Sequence, residues 1–187
     1  EKTIFNPIEP VDGLYIGKKP SDITHLQQLF EHDDRLAVIY MQRDPRSVVT
    51  SVHPSKSHVY FSSFERWSRY EAAAAPLLKH PRFFKVRYED LVADPDEVQK
   101  MIQTRWPFLD RQHPFSSYEK FAQTPAEAEM SLGGVRPVDA ERVHTWKQHL
   151  PRIAFQLQKY PQMTSSLIGA GYEEDDRWQL CLSGVEP

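Results

Sequence analysis

Apolar runs with the character of strands alternate along the chain with segments in which apolar residues recur at helical spacing. Residues 36–42, LAVIYMQ, are a continuous apolar run that predicts a fully buried, central parallel strand. Residues 83–86 predict a second buried strand. Between the two, residues 60–78 have helical spacing, with Phe64 and Trp67 on the packing face. This alternation predicts an α/β domain with a mainly parallel sheet.

Capping residues mark where the predicted helices begin. Residues 21–32 predict a helix with Ser21 or Asp22 as its N-cap. Asp44 and Asp94 are each followed by proline, which is favoured at the first helical position. The inward positions of the first helix are Ile23, Leu26 and either Leu29 or Phe30. A predicted amphipathic helix follows the glycines at 133–134, and its inward positions are Val143, Trp146 and Leu150.

Composition narrows the class of protein. A chain of 187 residues that is 40% hydrophobic is long enough for one domain with a sizeable core. A net charge of −3 lacks the basic footprint of a general nucleic-acid binder, so no nucleic-acid partner is predicted. With no apolar run near the ~20 residues that span a bilayer and no signal-peptide core, a cytoplasmic location is the default expectation.

Neither cysteine nor histidine spacing indicates a metal centre. Cys181 is the single cysteine, which excludes an internal disulfide and a cysteine-based zinc site. The eight histidines show neither an H-x-x-x-H nor an H-E-x-x-H spacing. We therefore predict no metal site.

Polar side chains follow both predicted strands, Arg43 after the first and Tyr88 after the second. Ligands of open α/β sheets bind at the carboxyl ends of strands, where helix N-termini offer N–H groups, and Arg43 would add a planar, permanently charged donor fork. Ser47 and Ser51 are four residues apart and would present hydroxyls on one helical face. The pattern predicts a phosphate site. In the alternative interpretation, Arg43 only pairs with a nearby carboxylate, either Asp44 or Asp90.

Residues 13–19, GLYIGKK, come close to a nucleoside-triphosphate loop without matching it. Gly13 and Gly17 enclose three residues rather than four, and no serine or threonine follows the lysines, so the magnesium ligand is missing. A kinase dependent on a nucleoside triphosphate is therefore the weaker alternative.

Three segments, in order, resemble those of sulfotransferases that use 3′-phosphoadenosine 5′-phosphosulfate (PAPS). Residues 38–51, VIYMQRDPRSVVTS, resemble the 3′-phosphate-binding segment, in which a serine follows the strand-end arginine by eight residues, as Ser51 follows Arg43. Residues 86–109, which begin VRYEDLVADP, are similar to the next strand and helix of that family. Residues 133–151, GGVRPVDAERVHTWKQHLP, resemble the C-terminal segment of the bacterial branch.

The resemblance implies a P-loop-like, three-layer α/β/α fold and assigns roles to individual residues. Arg43, Ser51 and Arg136 would hold the 3′-phosphate of PAPS, and Tyr88 would line the nucleotide pocket. Residues 17–23, GKKPSDI, resemble the family's Lys-x-Pro segment, which places Lys18 at the catalytic lysine position and leaves Lys19 as the alternative. The implied reaction needs no metal, because fixed cations stabilise the transferring group.

One part of the family pattern is absent from the sequence. No segment of the Pro-Lys-x-Gly-Thr-Thr type, which cradles the 5′-phosphosulfate, occurs in it. We therefore expect residues 1–187 to be a single sulfotransferase-like domain that lacks its N-terminal strand, loop and helix; the alternative is a non-catalytic nucleotide-binding or interaction module. The acceptor would be a small molecule or carbohydrate with a hydroxyl or amine, and residues 111–132 are the predicted acceptor loop. The sequence does not indicate an oligomeric state.

Overall fold

The computed structural model describes residues 16–53, 56–109, 111–122 and 135–187. Its strands are β1 (Val38–Gln42), β2 (Val52–His53), β3 (Lys56–Tyr60) and β4 (Phe83–Arg87). Its α-helices are α1 (Leu26–His32), α2 (Pro45–Val49), α3 (Phe64–Ala74), α4 (Tyr88–Ala93), α5 (Pro95–Arg105), α6 (Leu150–Lys159) and α7 (Met163–Gly169). Within the described residues, five 3₁₀ segments accompany them: Pro20–His25, Ala75–Leu77, Phe115–Lys120, Ala140–His149 and Asp176–Leu182.

The two strands predicted from the apolar runs pair as a small parallel sheet. In the register of β1 with β4, Val38 lies opposite Phe83 and Gln42 opposite Arg87. Because the two strands run in the same direction, their carboxyl ends meet at one edge of the sheet. The predicted mixture of helix and parallel strand is confirmed, and the residues that follow Gln42 and Arg87 are neighbours.

Strand β1 is less buried than its apolar run predicts. Ile39 and Met41 are 43% and 42% exposed. On the same face of the sheet, helix α5 packs against β4, through Val86, and leaves the Ile39 and Met41 side chains half-covered. The prediction of a fully buried strand is therefore wrong: within β1 only Gln42 is buried, and Val38 and Tyr40 on the other face are partly buried.

In the part of the chain that the structure describes, three apolar clusters hold the helices and strands together. The first packs α6 and α7 on α2 and α3 and contains Val49, Phe64, Trp67, Trp146, Ile153, Met163, Leu167 and Trp178. The second packs α1 on α3 and the sheet and contains Ile23, Leu26, Phe30, Ala74, Leu77 and Phe83. The third packs α5 on β4 and contains Val86, Val98, Ile102 and Trp106. Phe30, not Leu29, is the inward residue of α1, since Leu29 is 38% exposed.

The predicted caps of α2 and α5 are confirmed, and the first predicted cap is wrong. Asp44 and Asp94 cap their helices and proline follows each. The first helical stretch begins at Pro20 as a 3₁₀ segment whose N-cap position, Lys19, makes no side-chain cap. Residues 140–149 also form a 3₁₀ segment rather than an α-helix, although Trp146 is buried as predicted.

Helix α2 is too short to carry both Ser47 and Ser51. It ends at Val49, and the Thr50 hydroxyl donates a hydrogen bond to the Arg46 carbonyl at 2.7 Å. Three β-branched residues, 48–50, and this local hydrogen bond disfavour continuation of the helix. Ser51 therefore lies outside the helix, and the prediction that it shares a helical face with Ser47 is wrong.

Candidate functional site

Arg43 follows β1 directly and is half-buried at the carboxyl edge of the sheet. Its guanidinium carbon lies 4.1 Å from the centre of the Tyr88 ring, and its Nη2 donates to the Arg142 carbonyl at 3.2 Å. Its own carbonyl accepts a hydrogen bond from the Trp67 indole at 2.9 Å. Arg43 is thus held from several sides while its guanidinium forms no ion pair with any carboxylate that the structure describes, neither Asp44 nor Asp90.

The Nε atom of Arg43 is buried and has no hydrogen-bond partner within the described part of the chain. A buried donor without an acceptor costs free energy, on the order of 1–3 kcal/mol, and such groups tend to occur at functional sites. The guanidinium of Arg43 therefore has spare donor capacity for an anion.

Arg46, the other arginine of this turn, is buried and already satisfied. Its Nη2 lies 2.7 Å from Asp44 Oδ2, and its Nη1 pairs with Glu173. Its guanidinium carbon lies 4.3 Å from the centre of the Trp146 ring and 5.1 Å from that of Trp178. Burial by itself lowers the pKa of Arg46, but hydrogen bonds and charges from Asp44 and Glu173 outweigh it and raise the pKa above its ordinary value. Arg46 is therefore a structural cation.

The start of α2 has fewer free hydrogen-bond donors for an anion than the sequence predicts. Asp44 Oδ1 accepts the Arg46 backbone N–H at 2.7 Å, so that amide is occupied. Ser47 is buried and its hydroxyl donates to the Val143 carbonyl at 3.3 Å. Ser51 is exposed, and within the described part of the chain its hydroxyl makes no hydrogen bond. Of the two serines, Ser51 retains an uncommitted donor.

Glu89, the first residue after Tyr88, braces the turn between β1 and α2. One carboxylate oxygen accepts the Asp44 backbone N–H at 3.0 Å, and the other accepts the Tyr172 hydroxyl at 3.3 Å. Burial, followed by the charge of Glu89, raises the pKa of Tyr172 above its ordinary value, so Tyr172 stays protonated and able to donate. Glu89 thus links the backbone before α2 to Tyr172 in the C-terminal part of the chain.

Arg87 ends β4 as Arg43 follows β1, and sequence reasoning gave it no role. Its guanidinium carbon lies 4.5 Å from the centre of the Tyr172 ring, and its Nη2 donates to the Gly171 carbonyl at 3.5 Å. Gly171 has a φ of 72°, a conformation that favours glycine. The Nε of Arg87, like that of Arg43, is buried without a partner in the described residues. The sequence feature that could have identified Arg87 is its position at the end of the second predicted strand.

Lys18 and Lys19 differ in their surroundings. Lys19 pairs with Asp22 across 3.1 Å, whereas Lys18 is exposed and makes no ion pair with the residues that the structure describes. No described contact joins Lys18 to Arg43 or Tyr88. The structure therefore leaves Lys18 as the uncommitted lysine of the Lys-x-Pro segment.

Arg136 is exposed, and its carbonyl accepts a hydrogen bond from the Tyr118 hydroxyl. Six residues later in the same segment, the Arg142 carbonyl contacts the Arg43 guanidinium. The segment that carries Arg136 thus reaches the strand-end arginine. Gly133 and Gly134, predicted to form the loop before Arg136, lie outside the described residues, as do 123–132 of the predicted acceptor loop.

A cavity of about 400 Å³ adjoins the strand ends. Asp44, Arg46 and Glu89 form part of its wall, and residues from the C-terminal third form the rest, among them Trp146, Tyr172, Glu173 and Trp178. Within the described ranges, no group of three or more histidine, cysteine, aspartate or glutamate side chains is placed to hold a metal ion. None of the helices described is both long and apolar enough to cross a membrane.

Comparison with known proteins agrees with the resemblance seen in the sequence. The model of the sulfotransferase family matches residues 3–106, a stretch that contains β1, β4 and the turns that follow them. No curated protein and no solved structure matches the chain. Because the match covers more than half of the 187 residues and includes both strand ends, the chain belongs to the sulfotransferase family.

Proposed function

We propose that this chain binds PAPS through its 3′-phosphate and passes the sulfuryl group to a hydroxyl or amine of a small-molecule or carbohydrate acceptor. The observation that carries the proposal is Arg43, a strand-end arginine without an ion-pair partner among the described residues and with a buried, unsatisfied Nε. Membership of the sulfotransferase family supports the reaction class. The proposal treats residues 1–187 as one domain with the family's P-loop-like, three-layer arrangement.

The 3′-phosphate would lie at the edge where β1 and β4 end. Arg43 would supply a charge-assisted donor fork, which suits a phosphate oxygen pair. Tyr88 would act indirectly, since its ring packs 4.1 Å from the Arg43 guanidinium carbon and limits the orientations of that side chain. Ser51 and Arg136 would add a hydroxyl and a second positive charge, both from exposed positions.

The transfer itself would be an in-line displacement at sulfur. The acceptor oxygen or nitrogen forms a bond to sulfur as the bond between sulfur and the bridging oxygen breaks, and adenosine 3′,5′-bisphosphate leaves. The acceptor's proton is lost to solvent. Negative charge develops on the bridging oxygen, and a positioned cation stabilises it. Lys18 is proposed for that role.

The test of nucleotide binding is a calorimetric titration of the chain with adenosine 3′,5′-bisphosphate, with AMP as the matched control that lacks the 3′-phosphate. We expect the bisphosphate to bind at least about tenfold more tightly, because one charge-assisted hydrogen bond contributes about 1.5–3 kcal/mol. Equal affinity for the two nucleotides, or no binding of either, would contradict the proposal.

Replacing Lys18 with methionine is expected to reduce turnover of PAPS roughly tenfold and to leave the affinity for adenosine 3′,5′-bisphosphate unchanged. Removing a buried donor that stabilises developing negative charge typically lowers kcat by about 10²–10³. Lys18 is exposed to water, which weakens its electrostatic effect, so a smaller loss is expected. The control is Lys19→Met, which removes the lysine already paired with Asp22. If Lys19→Met lowers turnover and Lys18→Met does not, the assignment belongs to Lys19.

A non-catalytic nucleotide-binding module is the second candidate. The observation that favours it is the absence from this sequence of a Pro-Lys-x-Gly-Thr-Thr segment to cradle the 5′-phosphosulfate. This candidate predicts binding of adenosine 3′,5′-bisphosphate with no transfer of labelled sulfate from PAPS to any acceptor. Transfer by the parent chain would exclude it.

A further inference from the structure

The turn at residues 171–173 contacts three of the polar residues at the strand ends. The Gly171 carbonyl accepts from Arg87 at 3.5 Å, and the Tyr172 hydroxyl donates to Glu89. Glu173 pairs with the buried Arg46. This turn lies more than 60 residues beyond the stretch that the family model matches, so the match assigns it no role.

Glu173 is connected to Arg43 through Arg46 by two routes. In the first, Arg46 binds Asp44, the residue next to Arg43, with Nε at 3.1 Å from both carboxylate oxygens. In the second, Arg46 packs on Trp146, and the 3₁₀ segment that carries this tryptophan supplies the Arg142 carbonyl to which Arg43 donates. Both routes end on the backbone or the guanidinium of Arg43.

The ion pair between Glu173 and Arg46 is placed so that a change in it alters the position of the residues around Arg43. The Arg46 side chain is 5% exposed and that of Glu173 is 26% exposed. A buried guanidinium that loses the charge of one of its two carboxylate partners is less well satisfied, which favours a change in its orientation. Any reorientation of Arg46 shifts Asp44, Trp146 or both, because each packs directly against it.

We propose that Glu173 is a positioning residue for the 3′-phosphate site: its carboxylate orients Arg46, which sets the geometry of Arg43. This inference rests on the proposed function. Glu173 does not contact Arg43 directly and acts on it only through Arg46. Because Arg43 is proposed to bind the 3′-phosphate, loss of Glu173 should weaken that interaction and leave the rest of nucleotide binding unchanged.

The experiment is a pair of titrations, with adenosine 3′,5′-bisphosphate and with AMP, on the parent chain, Glu173→Gln and the control Glu174→Gln. Glutamine keeps the shape of Glu173 and an acceptor oxygen but removes its charge. Glu174 is the exposed neighbour, and no described contact involves its side chain. We expect Glu173→Gln to weaken bisphosphate binding roughly three- to tenfold, within the range of couplings through contact networks, and to leave AMP binding and Glu174→Gln unchanged.

Comparison with Arg43→Ala separates positioning from stability. If Glu173 acts through Arg43, adding Glu173→Gln to Arg43→Ala causes no further loss of bisphosphate affinity. An equal loss for both nucleotides, no loss at all, or the full loss in the Arg43→Ala background would overturn the inference. If Glu173→Gln fails to fold by circular dichroism, Glu173→Asp, which keeps the charge on a shorter side chain, is held to the same criteria. A parent chain that binds no bisphosphate refutes the proposed function itself, a result distinct from those above.

Discussion

Replacing Arg43 with alanine is expected to cost about 1.5–3 kcal/mol of binding free energy for adenosine 3′,5′-bisphosphate, which is roughly a 10- to 150-fold weaker affinity. The substitution removes the charged donor fork at the end of β1, and the other strand-end arginine, Arg87, packs on Tyr172 and donates to the Gly171 carbonyl instead. Calorimetric titration measures the change directly. The affinity for AMP should stay the same, since AMP has no 3′-phosphate.

The control for charge alone is Arg35→Ala. Removal of Arg35 changes the net charge by the same amount as removal of Arg43. Arg35 pairs with Asp33 on the surface, and its side chain is 88% exposed. Arg43→Lys separates charge from geometry, because lysine keeps the charge and loses the planar fork. An unchanged bisphosphate affinity in Arg43→Ala, or an equal loss in Arg35→Ala, would remove Arg43 from the site.

Replacing Arg46 with methionine is expected to lower the free energy of unfolding by about 3–5 kcal/mol, because the change leaves buried carboxylate charge without its partner. The Asp44 side chain is 8% exposed and loses its bidentate contact, while Glu173 loses its cation. Methionine retains most of the apolar stem of the arginine side chain, while the contacts of the guanidinium with the Trp146 and Trp178 rings are lost. Chemical denaturation, followed by tryptophan fluorescence, gives the value.

Arg177→Met is the matched control for Arg46→Met. Arg177 also pairs with a nearby aspartate, Asp175, at 2.5 Å, but its side chain is 75% exposed. Exposed pairs contribute about 0–1 kcal/mol, since water and salt screen them. If both variants lose the same stability, burial of the Arg46 cluster has no special energetic role.

Local signals in the sequence predicted much of the framework. The apolar run at 36–42 predicted β1, and Asp44 and Asp94 predicted the starts of α2 and α5, because strand burial and helix capping depend on neighbouring residues. The end of α2 was missed because it depends on Thr50 and on the chain turning into β2. The exposure of Ile39 and Met41 was missed because it depends on which face of the sheet the other elements cover.

By itself, the sequence determined the family, the order of strands and helices, and the presence of two arginines in the turn after β1. Only the tertiary structure decided which of the two arginines is ion-paired and which is not among the described residues. Arg46 is paired with Glu173, which lies 127 positions away along the chain, whereas Arg43 packs on Tyr88, 45 residues away, and has a donor without a partner in the described part of the chain. The two side chains have the same chemistry, so the difference between a paired structural cation and the arginine proposed to bind the 3′-phosphate arises from partners that only folding brings together.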